Sequence, residues 1–210
     1  MISMTMDVKK KIIEMLEVYC DEALNKSGFK RKKNSMIYSR NIGTVKQKVE
    51  MVSFLHPSYA PNAAAHIYPW FTIYYPEVNK MAKDIFKNCF LIENLKDITI
   101  RQPIQLGTQS ERWLLDDSNI RELGGKIQSF LVEYTIPILN KLESIQSYID
   151  MYESNDIGIV MDDIKYIFLI CAYVVTNDYA KGKEVLEKRF GKAGQRNLYE
   201  STFSYFDTII

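Results

Sequence analysis

The sequence predicts an α+β protein: a mainly antiparallel sheet of about four to five strands packed with helices, followed by a C-terminal helical hairpin. Three observations predict it. Apolar residues recur at the 3.6-residue period near the N-terminus. Three β-like stretches then follow up to Tyr75, with alternation at period two along the second and third. The apolar residues return to helical spacing from Pro76 onward, interrupted by two shorter β candidates.

From Val8, the residues Ile12, Met15, Leu16, Tyr19, Ala23 and Leu24 form one apolar helix stripe, and Gly28 supplies a left-handed C-terminal cap onto which Phe29 folds back. Met36 to Arg40 and Val45 to His56 read as strands joined through Asn41-Ile42-Gly43-Thr44, residues that hairpin turns favour. Along the second strand Val45, Val49, Met51 and Leu55 share one face and Lys46, Lys48 and Glu50 the other, which predicts a half-buried sheet with a wet side.

Beyond the loop Pro57 to Ala65, the stretch Ile67 to Tyr75 is rich in aromatic and β-branched residues. Its Ile67, Phe71 and Ile73 face one side and Tyr68, Trp70 and Tyr74 the other, and both sides are apolar enough to be covered. Pro69 lacks an N–H for a central ladder, so this strand is expected at an edge or with a bulge. Pro76 opens a helix carrying Val78, Met81, Ala82, Ile85, Phe86 and Cys89.

Two short strands follow, Ile98 to Leu106 and Arg112 to Leu115, separated by Gly107-Thr108-Gln109-Ser110. Asp116-Asp117-Ser118 then reads as the N-cap of a long helix that Pro137 breaks or kinks. A second helical stretch runs to about Tyr152, and Ser154-Asn155-Asp156 with Gly158 marks a linker. The boundaries are therefore 1–153 for the α+β domain and 154–210 for a helical extension packed on it. Within that extension, Tyr166 to Phe190 resembles a single tetratricopeptide unit at Tyr173, Tyr179 and Leu186, but Arg189 stands where that family wants a small residue and no second copy follows. It reads as a generic helical hairpin.

The composition limits function. With 47% hydrophobic and 25% charged residues, the 210-residue chain has the make-up of a globular protein. The longest apolar run, Tyr166 to Val175, falls well short of a bilayer, and the N-terminus opens without an apolar signal core, so a cytoplasmic protein is expected. Cys20, Cys89 and Cys171 lie far apart within helical patterns and read as buried free thiols. The net charge of +1 argues against a dedicated nucleic-acid binder. Yet residues 1–50 hold eleven Lys or Arg against six Asp or Glu, leaving sixteen against twenty elsewhere. Lys9-Lys10-Lys11 and Lys30-Arg31-Lys32-Lys33 supply much of that excess, and such runs are usually solvated surface.

No phosphate loop, zinc helix, nucleophile elbow or Cys-x-x-Cys pair is present. His56 and His66 flank one loop and could approach a metal with Glu50 or Glu77, but ordinary strand-end histidines explain them better, and neither a metal nor a cofactor is expected. Asp116-Asp117 could act as an acid–base pair, but suits a helix N-terminus better. Glu111, Arg112 and Trp113 could form an anion-binding spot, although a buried tryptophan beside a surface ion pair is the commoner outcome. The most suggestive cluster is Tyr59, Tyr68, Trp70 and Tyr74, with Arg40, Lys46 and Lys48 nearby. Aromatics with polar tips suit an interface, and basic residues among stacking rings also suit single-stranded nucleic acid.

Gly28-Phe29-Lys30-Arg31-Lys32-Lys33-Asn34, then Ile37-Tyr38, and later Arg112-Trp113 and Ile136 to Leu139, resemble a bacterial domain-of-unknown-function family. Its members begin with a helix and a "GFKRKG-x-x-[FWY]" signature. The likeness spans about residues 8–152, and Lys33 stands where a glycine is common. It implies an α+β fold and no particular activity. Small bacterial proteins of this general look include immunity proteins beside secreted toxins, which is an analogy. The preferred expectation is a non-enzymatic module that binds another protein, immunity-like. The alternatives are a nucleic-acid-binding module using Lys30, Arg31 and Lys33 within residues 28–48, and an enzyme whose pocket gathers several of Asp116, Asp117, Glu111, Arg112 and His66.

Overall fold

The computed structural model of the chain describes residues 2–87, 89–93, 95–104, 112–116 and 118–209, with side chains from residue 7 onward. It divides into two compact units, each assembled from separate stretches of sequence. The first comprises Met1–Ile42, Lys46–Thr72 and Arg101–Asn140; the second comprises Gly43–Val45, Ile73–Ile100 and Lys141–Ile210. The class is α+β, with an antiparallel sheet and C-terminal helices.

The sheet contains β1 (Lys30–Arg31), β2 (Ile37–Ile42), β3 (Val45–Leu55), β4 (Ala65–Tyr74), β5 (Ile100–Pro103) and β6 (Trp113–Leu115). Its order is β1-β2-β3-β4-β5, and β6 also pairs with β4. Six strands exceed the expected four to five because Lys30 and Arg31 pair with Ser39 and Tyr38, a two-residue strand concealed in a run of charge. Of the expected strand Ile98 to Leu106, Ile100–Pro103 form β5, while Ile98, Thr99 and Ile104 flank it outside the strand. Gln105 and Leu106, the connection Gly107 to Ser110, and Glu111 lie outside the described residues.

Pro69 is not at a sheet edge. β4 is central, and the carbonyl of Pro69 accepts from the Ile104 N–H at 2.9 Å. That side of β4 is where its neighbour changes from β6, paired to residues 65–67, to β5. A residue's N–H and C=O leave a strand on the same side, so the absent proline N–H falls near a junction between two partners and removes little ladder bonding.

In the first unit, α1 (Ile2–Tyr19) and α2 (Asp21–Lys26) replace the single helix expected through Leu24, with a break at Cys20 that puts Asp21 at the start of a new helix. α5 (Ile120–Phe130) runs through a π-helical turn (Leu131–Thr135) into α6 (Ile136–Lys141). The expected break at Pro137 is absorbed there. The Ile136 N–H bonds to the Leu131 carbonyl, one residue further back than in an α-helix, and the helix proceeds through the proline in the next turn. α1 and α5 cross closely at Gly124, where an added Cβ would fall 2.3 Å from the Tyr19 ring.

The second unit holds α3 (Pro76–Ile85), α4 (Phe90–Glu93), α7 (Ile145–Glu153), α8 (Asp163–Val175), α9 (Tyr179–Phe190), the short turn α10 (Ala193–Arg196) and α11 (Glu200–Ile209). As its two-sided apolarity predicts, α8 is buried on nearly all sides, from Ile167 through Val174. The α8–α9 hairpin turns at Asn177, which has a φ of 63°, and Asp178 caps α9 by accepting from the Lys181 N–H. Tyr75 stacks on Tyr148 with ring centroids 6.1 Å apart. The Tyr75 hydroxyl donates to the Leu142 carbonyl and the Tyr148 hydroxyl to the Lys165 carbonyl, so both buried rings satisfy their polar tips. All three cysteines are buried and free, and burial pushes the Cys20 thiol up to about 12.

Candidate interaction surface

Within the basic motif segment Arg31 turns inward, while Lys30, Lys32 and Lys33 are exposed. Gly28 takes a φ of 82° and ends α2, and Phe29 is buried behind it. Arg31, its side chain 3% exposed, makes a two-pronged bond to Asp21, Nε to Oδ1 at 2.9 Å and NH2 to Oδ2 at 2.7 Å. Its NH1 reaches the carbonyls of Lys33 and Ser35. The buried Tyr38 hydroxyl donates to the same carboxylate at 2.5 Å. Burial alone would raise the Asp21 carboxyl, but hydrogen bonds from Arg31 and Tyr38 and the charge of Arg31 outweigh it and hold the group below its ordinary range. Arg40 is likewise engaged. It donates to the Ser27 carbonyl, to Gln47 Oε1 at 2.8 Å and to Asn140 Oδ1, while its guanidinium lies 4.5 Å from the Phe29 ring centroid. Gln47, fully buried, passes its amide N–H to the Leu139 carbonyl. Arg31 and Arg40 are thus latches that tie the two ends of α2, and Asn140, to the inner face of the sheet.

The other face of the sheet is different in kind. Along β3 the buried residues Val45, Gln47, Val49 and Met51 alternate with exposed Lys46 and Lys48, half-buried Glu50 and Val52, and Phe54, which is 59% exposed. Along β4 the buried residues Ala65, Ile67, Pro69 and Phe71 alternate with half-buried His66, Tyr68 and Trp70. The register carries this face sideways. Leu114 sits opposite His66, and exposed Lys30 sits opposite exposed Ser39. The outward side of β4, which the sequence left apolar enough to be covered, is open enough that Tyr68 and Trp70 remain partly exposed.

Two arginines lie on rings of this face. The Arg101 guanidinium is 4.7 Å from the Trp70 ring centroid and reaches Glu50 at 3.5 Å, linking β3, β4 and β5 in one row. Exposed Arg112 lies 4.5 Å from the centroid of the Tyr59 ring, itself 51% exposed. The Tyr59 hydroxyl is 2.5 Å from Nδ1 of His66, and the His66 ring is 5.1 Å from Tyr68. Burial, and then the charge of Arg112, hold His66 below its ordinary 6.5. Among the described residues, Nε2 of His66 and Nε1 of Trp70 are buried without a hydrogen-bond partner. Buried unsatisfied donors are uncommon in folded proteins.

The remaining candidates disperse. Lys33 is exposed in the turn before β2, away from the β4 aromatics. Tyr74 belongs to the second unit, where burial and Asp97 raise its hydroxyl. Trp113 is buried against Phe130, ring centroids 5.1 Å apart. Asp116 does not cap α5. Asn119 holds the N-cap position, and Asp116 accepts from the Ser118 N–H and hydroxyl, because the turn after β6 closes on itself before the helix begins; Asp117 lies outside the described residues.

A cavity of about 420 Å³ is lined by Trp113, Gly125, Lys126, Ser129, Phe130, Glu133 and Tyr134, and one of about 160 Å³ by Arg112, Asn119 and Glu122 among others. Of the described residues expected at an enzyme site, Arg112 alone lines either cavity. Among the described residues no three His, Cys, Asp or Glu side chains are grouped to hold a metal ion, and no helix is long and apolar enough to cross a membrane. Sequence reasoning missed Arg101, Phe54 and Asp21. The first was legible: with Ile100, Gln102 and Ile104 buried, strand parity sends Arg101 outward.

No family model, curated protein or solved structure matches this chain.

Proposed function

We propose that this chain is a non-enzymatic protein-interaction module, immunity-like in kind, which binds its partner through the open face of the sheet. The observation that carries the reading is the grouping of Phe54, Tyr59, His66, Tyr68 and Trp70, exposed or half-buried, on one continuous face. A solvated antiparallel face ordinarily alternates toward polar residues, whereas a cluster of aromatics with polar tips is what protein interfaces favour. The three free thiols suit the reducing cytoplasm as its compartment.

A pull-down from lysate of the native host with wild type and Phe54→Asp tests it. Phe54 is exposed, so the substitution leaves the fold intact while placing a charge in the patch. The reading expects one protein retained in near-stoichiometric amount by wild type and lost by the variant, and equal retention by both would contradict it.

A nucleic-acid reading draws support from Lys30, Lys46 and Lys48, all exposed on this face. It expects binding that falls steeply with salt and weakens uniformly when these lysines are replaced.

A further inference from the structure

We infer that the open face receives an acidic segment of a protein partner, with partner carboxylates seated on the guanidinium groups of Arg101 and Arg112. The inference rests on the interaction reading and names its chemistry. Charge supports it: among the described residues Lys30, Lys46, Lys48, Arg101 and Arg112 share the face with Glu50. Geometry separates a protein from a nucleic acid. Single-stranded nucleic acid stacks its bases on bare ring faces, and two rings of this face already carry a guanidinium, Trp70 that of Arg101 at 4.7 Å and Tyr59 that of Arg112 at 4.5 Å, which leaves Phe54 and Tyr68. The same stacking favours carboxylates. A guanidinium laid flat on a ring keeps its N–H edge free and loses little motion on forming a two-pronged bond.

The two arginines are held differently. Arg112 has no carboxylate partner among the described residues, and its platform is fixed by the bond of the Tyr59 hydroxyl to His66. Arg101 meets Glu50 at 3.5 Å, a long contact with side chains 45% and 35% exposed. Glu50 is therefore a place-holder that an incoming carboxylate displaces, while Tyr68 and Phe54 offer apolar contact alongside.

The test uses the full chain and three probes: a labelled synthetic peptide alternating glutamate with leucine and phenylalanine, its glutamine counterpart, and oligo(dT). The glutamate peptide is expected to bind saturably. Arg101→Ala and Arg112→Ala should each weaken it about tenfold, and Glu50→Gln should strengthen it severalfold by removing the internal competitor. Unchanged thermal melting of the three variants establishes that folding is not the cause. Equal binding of the glutamine peptide, tighter binding of oligo(dT), absence of saturable binding, or weakening by Glu50→Gln would each overturn the inference. The interaction reading fails separately: a lysate partner lost by Phe54→Asp but kept by both arginine variants preserves the surface and removes only the acidic segment.

Discussion

Arg31 and Arg40 on the inner face of the sheet, and Arg101 and Arg112 on the outer, all lie on aromatic rings, yet only the outer pair keeps its charge available. Ring-to-guanidinium distances do not distinguish them, being 5.7 and 4.5 Å inside and 4.7 and 4.5 Å outside. What differs is the edge of the guanidinium. Inside it meets the Asp21 carboxylate, main-chain carbonyls and the Gln47 and Asn140 amides; outside, Arg101 touches one distant carboxylate and Arg112 none among the described residues. An arginine whose donors are all matched secures the fold, and one with a free edge is equipped to bind.

Substitution separates the two kinds of arginine. The largest effects are expected on the inner face, where Arg31→Ala leaves the Asp21 carboxylate without its charged partner and with the Tyr38 hydroxyl as a remaining donor. It should cost about 2 kcal/mol by denaturant unfolding, less than the loss of one partner from a fully buried ion pair because the Asp21 side chain is 27% exposed. Gln47→Ala leaves Arg40 and the Leu139 carbonyl each short of a partner and should cost about 2 kcal/mol in the same measurement. Arg101→Ala and Arg112→Ala should change stability by no more than about 0.5 kcal/mol, the range of exposed substitutions.

Acid sharpens the contrast by sign. Asp21 is held below its ordinary 3.8, so it adds stability that is present above that value and lost as pH falls through its folded value. An acid unfolding series should show that loss in wild type and not in Arg31→Ala. His66, held below 6.5, binds a proton less readily folded than unfolded, so its contribution is complete above 6.5 and declines as pH falls below it. NMR titration of the two histidines checks this, with His66 titrating below its unfolded value in wild type and closer to it in Arg112→Ala.

Much of the architecture was legible because it follows from period. The alternation along β3, the two-sided apolarity of α8 and the buried cysteines are local patterns that tertiary packing leaves intact. What was not legible depends on partners distant in sequence. The charge run Lys30 to Lys33 conceals a strand because pairing with Tyr38 and Ser39, not composition, makes it one. Arg31 and Arg40 read as surface charge because Asp21, Gln47 and Asn140 reach them only in the fold. Pro137 reads as a break or kink because a π turn, which shifts bonding by one residue, leaves no mark in the apolar spacing. At the surface, Tyr59, Tyr68 and Trp70 were visible as a group, but Arg101 joins them only once β5 pairs with β4.

The most direct test of the account is to follow the backbone amide spectrum of the labelled protein during titration with the acidic peptide. The account predicts shifts confined to β3, β4, β5 and the Tyr59 and Arg112 segments, with Asp21, Arg31 and Tyr38 unmoved. Shifts centred on Lys30 to Arg40, with the open face silent, would contradict it.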